Sequence, residues 1–302
     1  ELQARLLGDL EHYQDALASL DKALELKSDN YNLWELQARL LLELEHYQDA
    51  LASLDKALEL KSDDYNLWNY KTITLYKLKF YDKAIESAKK SIYINPENSN
   101  AWNSLGYLLL IKYSNDEPQL NIPLAINYEQ VYFHDKQENS FEESKYYEES
   151  LIYFDKAVIF GVNDENFVLY LANQSYPLYY LDRYQEALAI CKKCIKLNFK
   201  KDIVWGNQGF ILLKLGRYTE AIKSFKQVLK LNIHYANIHY SIACCYALRN
   251  NVKEAVKTLK EAIAINSKCR ERAKLDSNFD KIRKDRRFQK LMQTELYNLN
   301  QE

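Results

Sequence analysis

The chain repeats itself with a period of 34 residues at its N-terminal end. Residues 1–30 and 35–64 match at 27 of 30 positions. The three differences are Gly8 to Leu42, Asp9 to Glu43 and Asn30 to Asp64. A fixed period of this length is typical of proteins in which each repeat is one supersecondary unit and neighbouring units share a core. The sequence therefore predicts an array of stacked units.

The same period continues along the chain as a spacing of small and apolar residues. Seven triplets share one spacing, in which a small residue is followed four and seven positions later by residues suited to packing. The distances between the first residues of successive triplets are 34, 34, 66, 37, 34 and 34 positions. This spacing places each triplet on one helix face, so it predicts a helix B in every unit. A helix A precedes it, most clearly over 205–212. The triplets are Ala16-Leu20-Ala23, Ala50-Leu54-Ala57, Ala84-Ala88-Ser91, Ser150-Phe154-Ala157, Ala187-Cys191-Cys194, Ala221-Phe225-Val228 and Ala255-Leu259-Ala262.

Composition agrees with a helical protein and excludes several classes. The 302 residues include 6 Gly and 4 Pro, too few for a protein built from tight hairpins. No apolar run approaches the roughly 20 residues that a membrane span needs. The five cysteines include the adjacent pair Cys244 and Cys245 and make no disulfide framework, so we expect reduced thiols and a cytoplasmic location.

The residues Trp102-x-x-Leu105-Gly106-x-x-Leu109 resemble the signature of the tetratricopeptide repeat (TPR) family, and the repeat sequences are similar to those of its bacterial members. The resemblance implies an all-α TPR solenoid, in which tandem antiparallel helix pairs form a right-handed superhelix. Residues 270–302 are similar to the capping helices that close bacterial arrays, with Ile282, Phe288 and Leu291 facing inward. The expected units are 1–30 (truncated), 31–64, 65–98, 99–164, 165–201, 202–235 and 236–269.

Two places break the period. The step of 66 predicts an insertion at about 114–145, where Pro123 could open a helix with an apolar stripe. This insertion is either a surface element that covers the array or an element that contacts a partner or fills the groove. Pro177 falls inside a helix A and predicts a kink, which is either a static irregularity or a hinge. The stripe consists of Leu124, Tyr128, Val131 and Tyr132.

Charge is unevenly distributed, although the net charge is −1. Residues 1–64 hold 6 basic and 15 acidic side chains, whereas residues 268–290 hold 10 basic and 4 acidic ones. Opposed blocks favour weak head-to-tail self-association of copies. Nucleic-acid binding is not expected, because the aromatic residues serve the core and do not alternate with the basic ones. No membrane partner is expected.

Motifs for catalysis are missing from the sequence. Cys191 and Cys194 have CxxC spacing, but both occupy packing positions of a helix B, which indicates buried thiols and no metal or redox site. There is no HExxH, GxxxxGK[ST] or GxGxxG pattern. We therefore expect a protein that is not an enzyme, with no catalytic residues, cofactor or metal.

The TPR resemblance implies that the helices A line a concave groove. The groove-facing residues would follow each Trp or its equivalent by one, two, five and eight positions. Tyr gives large contact area and Asn can pair with peptide groups, so an extended peptide is the expected ligand. The alternative is that some rings pack between repeats. The candidates are Asn69, Tyr70, Tyr76, Asn103, Tyr107, Asn173, Tyr176, Tyr179, Asn207, Phe210 and Tyr240.

The chain departs from the best-known ligand mode of the family, in which Lys and Asn grip a peptide's C-terminal carboxylate. None of the residues at the lysine position is cationic, so anchoring should be aromatic and apolar. The sequence thus predicts a scaffold that binds a protein or peptide segment in the groove. The alternative is a regulatory or sensor module at the C-terminal end of a larger enzyme or signalling protein, because no initiator Met precedes Glu1. The lysine positions are occupied by Glu35, Asn69, Asn103, Ala172, Gly206 and Tyr240.

Overall fold

The computed structural model describes residues 13–113, 141–197, 202–231 and 233–293. These ranges contain 16 α-helices, one 3-10 helix and no strand, so the predicted all-α repeat solenoid is confirmed. None of the described helices combines the length and apolar character that crossing a bilayer demands. In chain order the first eight helices are α1 (Tyr13–Leu26), α2 (Tyr31–Glu43), α3 (Tyr47–Leu60), α4 (Tyr65–Lys77), α5 (Tyr81–Ile94), α6 (Ser99–Tyr113), α7 (Phe141–Phe160) and α8 (Phe167–Asn173). The others are α9 (Ser175–Tyr180), α10 (Tyr184–Lys196), α11 (Asp202–Lys214), α12 (Tyr218–Leu231), α13 (Ala236–Leu248), α14 (Val252–Ile265), α15 (Lys268–Leu275), the 3-10 helix Ser277–Ile282 and α16 (Arg286–Gln293).

The described residues fall into two compact units, the first formed by 13–113 with 148–170 and the second by 141–147 with 171–197, 202–231 and 233–293. In the first unit α2, α4 and α6 are helices A, while α1, α3, α5 and α7 from Glu148 onward are helices B; the first turns of α7, up to Tyr147, belong to the second unit. In the second, α9, α11 and α13 are helices A, and α10, α12 and α14 are helices B. Short turns make each A and B pair antiparallel neighbours. The division of the sequence into seven repeats remains a proposal.

The tryptophans of the repeat signature fix the start of helix A. The indole Nε1–H of Trp34, Trp68 and Trp102 donates to the carbonyl oxygen six residues upstream, at 2.9, 2.9 and 2.8 Å. Asn30 and Asp64 cap α2 and α4 through their side-chain oxygens. In α2 and α4 the start of helix A is therefore stabilised by two local hydrogen bonds, one to the N-cap side chain and one from the indole ring.

The turn from helix A to helix B places one residue in the left-handed region. The φ angles are 60° at Glu45, 63° at Lys79, 59° at Asp182, 70° at Gly216 and 58° at Asn250. Only Gly216 adopts this conformation without a steric cost, which for a residue with a Cβ is about 1 kcal/mol. The repeats therefore share one turn geometry although the residue type differs.

Small residues allow the paired helices to approach closely. A Cβ on Gly106 would lie 3.0 Å from the ring of Phe154, and one on Gly209 would lie 2.5 Å from that of Phe225. Both phenylalanine rings are fully buried. Each glycine on helix A thus receives an aromatic ring from helix B, as the packing pattern predicts.

Pro177 interrupts a helix A, as its position predicts. The helix is split into α8 and α9 around Gln174. Proline supplies no N–H and its ring crowds the carbonyl four residues earlier, which here is that of Asn173. The Ser175 hydroxyl donates to the Ala172 carbonyl at 2.6 Å inside this break.

Three short helices cover the last repeat. Phe279, Ile282 and Phe288 are buried in one core with residues of α13 and α14, and Leu291 packs against it. Asp276 caps the 3-10 helix by accepting from the Asn278 N–H at 2.9 Å. The inward face expected at Ile282, Phe288 and Leu291 is present.

Several predictions concern residues outside the described ranges. They include the helix opened by Pro123, with its stripe of Leu124, Tyr128, Val131 and Tyr132, and most of the insertion at 114–145. The described chain resumes with α7 at Phe141. Residues 1–12 of the first expected unit and 294–302 of the expected cap also lie outside.

Candidate functional site

Asn69 of α4 is held in place by two donors. Its Oδ1 accepts from the Asn98 Nδ2–H at 3.0 Å and from the Ser91 Oγ–H at 2.8 Å, and this one hydroxyl hydrogen is shared with the Tyr65 carbonyl oxygen at 2.9 Å. The Nδ2 group of Asn69 makes no hydrogen bond with another described residue, and the side chain is half-buried. The arrangement leaves an oriented amide donor on the helix A face of the first unit.

An aromatic and an aliphatic side chain lie near it on the same helix. Tyr70 is half-buried, with the Arg39 guanidinium 5.7 Å from its ring centroid. Burial raises the pKa of Tyr70, and Arg39 opposes that rise. Ile73 is 38% exposed. Asn103 of α6 is half-buried, so this face combines two amides, one ring and one apolar group.

Tyr76 and Tyr107 form an internal pair in the first unit. Their hydroxyl oxygens share a hydrogen bond at 3.1 Å, and the rings meet edge to face with centroids 5.5 Å apart. Both side chains are buried. Burial raises the pKa of Tyr76 to about 12 and that of Tyr107 far above its usual range. The pair joins α4 to α6.

Five tyrosines form a cluster in the second unit, which we call the tyrosine cluster: Tyr147, Tyr176, Tyr179, Tyr180 and Tyr184. Tyr180 stacks on Tyr147 with centroids 5.0 Å apart, and it meets Tyr176 at 4.8 Å. Tyr179 contacts Tyr184 at 5.5 Å and is buried, whereas the other four are half-buried. The cluster presents ring surface beside α9.

Four further candidates of the second unit are buried. Asn173 and Asn207 lie beside the break in helix A, and the Nδ2–H of Asn207 donates to Ser175 Oγ at 3.0 Å. Phe210 meets the ring of Phe225 edge to face at 4.9 Å.

Tyr240 is the fourth of these buried residues. Its hydroxyl donates to Asp276 Oδ2 at 2.8 Å, and Arg272 lies 4.4 Å above its ring. It therefore ties α13 to the C-terminal cap.

The eleven candidates thus separate by exposure. Asn69, Tyr70, Asn103 and Tyr176 are part-exposed, and the other seven are buried. Sequence reasoning missed Ile73, although it follows Trp68 by five positions and obeys the spacing used for the others. It also missed the rings of Tyr147 and Tyr180, for which that spacing gives no signal.

The CxxC pair is buried, as the sequence predicts. Cys191 and Cys194 are free thiols on α10. Burial raises the pKa of Cys194 to about 12 and that of Cys191 higher still, so both stay protonated at neutral pH. Among the described residues, no group of three or more His, Cys, Asp and Glu side chains is placed to hold a metal ion.

Comparison with protein families finds repeat models at both ends of the chain. Residues 2–66 and residues 202–268 each match a family model described as tetratricopeptide repeat. Residues 81–111 match a model described as protein prenyltransferase alpha subunit repeat. No curated protein gives a significant match.

Solved structures show the same fold at low sequence identity. The type IV pilus biogenesis factor PilW is 16% identical, with a TM-score of 0.62, over 83% of this chain and 96% of that one. A tetratricopeptide repeat protein from Parabacteroides merdae is 15% identical, with a TM-score of 0.57, over 92% and 95%. YrrB, described as a TPR protein with an unusual peptide-binding site, is 19% identical, with a TM-score of 0.52, over 71% and 92%.

Proposed function

We propose that this chain, which belongs to the tetratricopeptide repeat (TPR) family, is a non-enzymatic scaffold that binds an extended segment of a partner protein along its helix A faces. Proteins of this family generally act as interaction scaffolds. The five reduced cysteines favour a cytoplasmic location.

The observation that carries the proposal is the set of part-exposed amides and rings on neighbouring helices A. In the first unit, Asn69 and Asn103 occupy the same position of α4 and α6, one residue after each Trp. Side-chain amides at successive repeats can donate to peptide carbonyls, while Tyr70 and Ile73 provide contact area. Since Ser91 and Asn98 already orient Asn69, little side-chain freedom is lost when a peptide binds there.

The ligand chemistry follows from what these faces contain. The lysine positions of the carboxylate-binding TPR proteins hold uncharged or acidic residues in this chain, including Glu35 and Asn69. The rings of Tyr70 and Tyr176 bind aliphatic or proline side chains and do not need a charged partner. We therefore propose an extended, mainly apolar segment whose affinity changes little with salt.

The double variant Asn103→Ala/Tyr176→Ala tests the proposal. It places one substitution on the helix A face of each unit. Retention of the partner from source lysate should be lost, with affinity for the purified partner at least about tenfold weaker, because each truncation costs about 1 kcal/mol or more. Mass spectrometry of the retained proteins and titration of the purified partner provide the measurement. Both side chains are part-exposed, so the fold should tolerate the change.

The matched control replaces one asparagine and one tyrosine away from helix A. Asn163 and Tyr93 are exposed, and Tyr93 lies on helix B α5. Asn163→Ala/Tyr93→Ala should retain the partner with unchanged affinity. Equal retention by both variants would place the partner elsewhere on the chain and would refute the proposal.

A further inference from the structure

The helices B of the second unit carry a surface rich in lysine. Together α10, α12 and α14 contain nine lysines, four glutamates and no arginine. Seven of the nine lysines recur at the repeat step of 34, so these seven project from one side of successive helices. We call this surface the basic B face. Its exposed lysines fall into three sets whose members are 34 residues apart: the first set is Lys192, Lys226 and Lys260, the second is Lys196 and Lys230, and the third is Lys223 and Lys257.

The four glutamates of the same helices compensate only part of the charge of the nine lysines. Glu186 and Glu220 are each held by an arginine fork of the preceding turn, from Arg183 and Arg217, at 2.6–2.8 Å. Glu261 faces the ring of His239, with 3.2 Å between its Oε2 and Nδ1. Because nine lysines outnumber four glutamates on these three helices, the basic B face keeps a net positive charge.

The first unit carries a matching acidic surface. Helices α1 and α3 have the same sequence, with six acidic residues and two lysines in all. Their exposed Asp21, Glu25, Asp55 and Glu59 occupy the fifth and ninth positions after the first buried alanine. In α10 and α12 these same positions hold Lys192, Lys196, Lys226 and Lys230. We call the surface of α1 and α3 the acidic B face.

The acidic side chains have only weak competing partners. Asp21 Oδ1 accepts from Gln37 Nε2 at 2.8 Å, Asp55 pairs with Lys71 at 2.6 Å, and Glu59 pairs with Lys56 at 2.8 Å. Such exposed ion pairs contribute little stability and exchange readily. The acidic B face is therefore available to lysines of another molecule.

Each surface also ends in an exposed leucine. Leu26 and Leu60 follow Glu25 and Glu59, and Leu197 and Leu231 follow Lys196 and Lys230. These four side chains are between 46% and 86% exposed. These leucines occupy the same repeat position on both surfaces, next to an acidic residue on one and a lysine on the other. Contact between the two surfaces would bury them together, which adds an apolar contribution to the free energy of association.

We infer that the acidic B face of one copy of this chain docks on the basic B face of a second copy. The acidic B face presents two helices separated by one repeat, and α10 and α12 of the basic B face have the same separation, so acid meets base whether the helices run parallel or antiparallel. A second copy fits better than nucleic acid, because the basic B face offers leucines and lysines without interleaved rings, and the flanking Arg183 and Arg217 are paired with Glu186 and Glu220. A contact of this kind is heterologous and builds rings or open chains. It is independent of partner binding at the helix A faces.

Sedimentation velocity of the full chain in low and high salt tests this inference. At about 0.05 M salt the weight-average mass should rise with concentration to at least twice the 35.7 kDa of one chain, and at about 0.5 M it should fall back to that value. Two charge reversals, Lys196→Glu/Lys230→Glu and Glu25→Lys/Glu59→Lys, should each give monomers. An equimolar mixture of the two variants should associate again, because each then offers a surface opposite in charge to one on the other.

The control reverses two lysines outside the helices B. Lys268→Glu/Lys284→Glu makes the same change in net charge on the exposed C-terminal cap and should associate like the parent. Loss of association in this control alone would move the contact to the cap and overturn the inference. A parent that stays monomeric in low salt, including one that instead binds polyphosphate or anionic vesicles, would also overturn it, as would a mixture that fails to associate.

Discussion

Replacing Gly209 with alanine is expected to lower the free energy of unfolding by about 2–3 kcal/mol. A Cβ at this position would lie 2.5 and 2.6 Å from two atoms of the Phe225 ring. The ring is fully buried against Phe210, so it cannot move aside without separating α11 from α12. Urea unfolding followed by circular dichroism measures the loss.

The control for this prediction removes the ring that causes the clash. Phe225→Leu alone should cost about 1 kcal/mol, and adding Gly209→Ala to it should cost much less than in the parent. A thermodynamic cycle over the four proteins gives the coupling energy. If alanine at 209 destabilised both backgrounds equally, the close approach of Gly209 and Phe225 would not be the cause.

Replacing Phe279 with alanine is expected to cost about 3–5 kcal/mol and to release the C-terminal cap. Its ring is fully buried, edge to face with Tyr240 at 5.5 Å and stacked with Phe288 at 5.5 Å. The substitution leaves a cavity between α13 and the cap, whose other large buried apolar side chains are Ile282 and Phe288. Amide exchange measured by mass spectrometry should accelerate in residues 268–293.

Phe80 provides the matched control for this change. It is 45% exposed at the start of α5, so Phe80→Ala should cost less than about 1 kcal/mol and leave exchange in the cap unchanged. Slow exchange in residues 268–293 of the Phe279→Ala variant would show that the cap is held by other contacts. The hydrogen bond from Tyr240 to Asp276 would be the first of these to examine.

The sequence predicts the helices of this fold well, because their signals are local. The triplet Ala221-Phe225-Val228 specifies one face of a helix and is fully buried. The three tryptophans mark helix A starts through a contact only six residues long. Pro177 splits a helix for a reason contained within four residues.

The exposure of the candidate site was less predictable, because it depends on what packs over each helix. The spacing after Trp identifies the A face but does not tell whether another element covers it. Tyr107 is buried with Tyr76, Phe210 lies against Phe225, and Tyr240 is covered by the cap. Ile73 has the same spacing as Tyr107 and is 38% exposed.

The charged B faces show what counts of charged residues along the sequence do not predict about self-association. The block counts in the sequence point to opposed ends of the chain, which predicts contact between the N-terminal repeats and the basic C-terminal cap. The repeat register places Lys196 and Lys230 at the positions of Glu25 and Glu59, but only the structure shows that all four side chains are exposed. The proposed contact therefore moves from the cap to the helices B.

A photo-crosslinking amino acid placed at Ile73 or at Tyr93 tests the central claim most directly. Ile73 lies on helix A α4 and Tyr93 on helix B α5, and both side chains are exposed in the first unit. With the captured partner present, the account predicts a crosslinked product from position 73 and none from position 93. A product from position 93 and none from position 73 would contradict binding along the helix A faces.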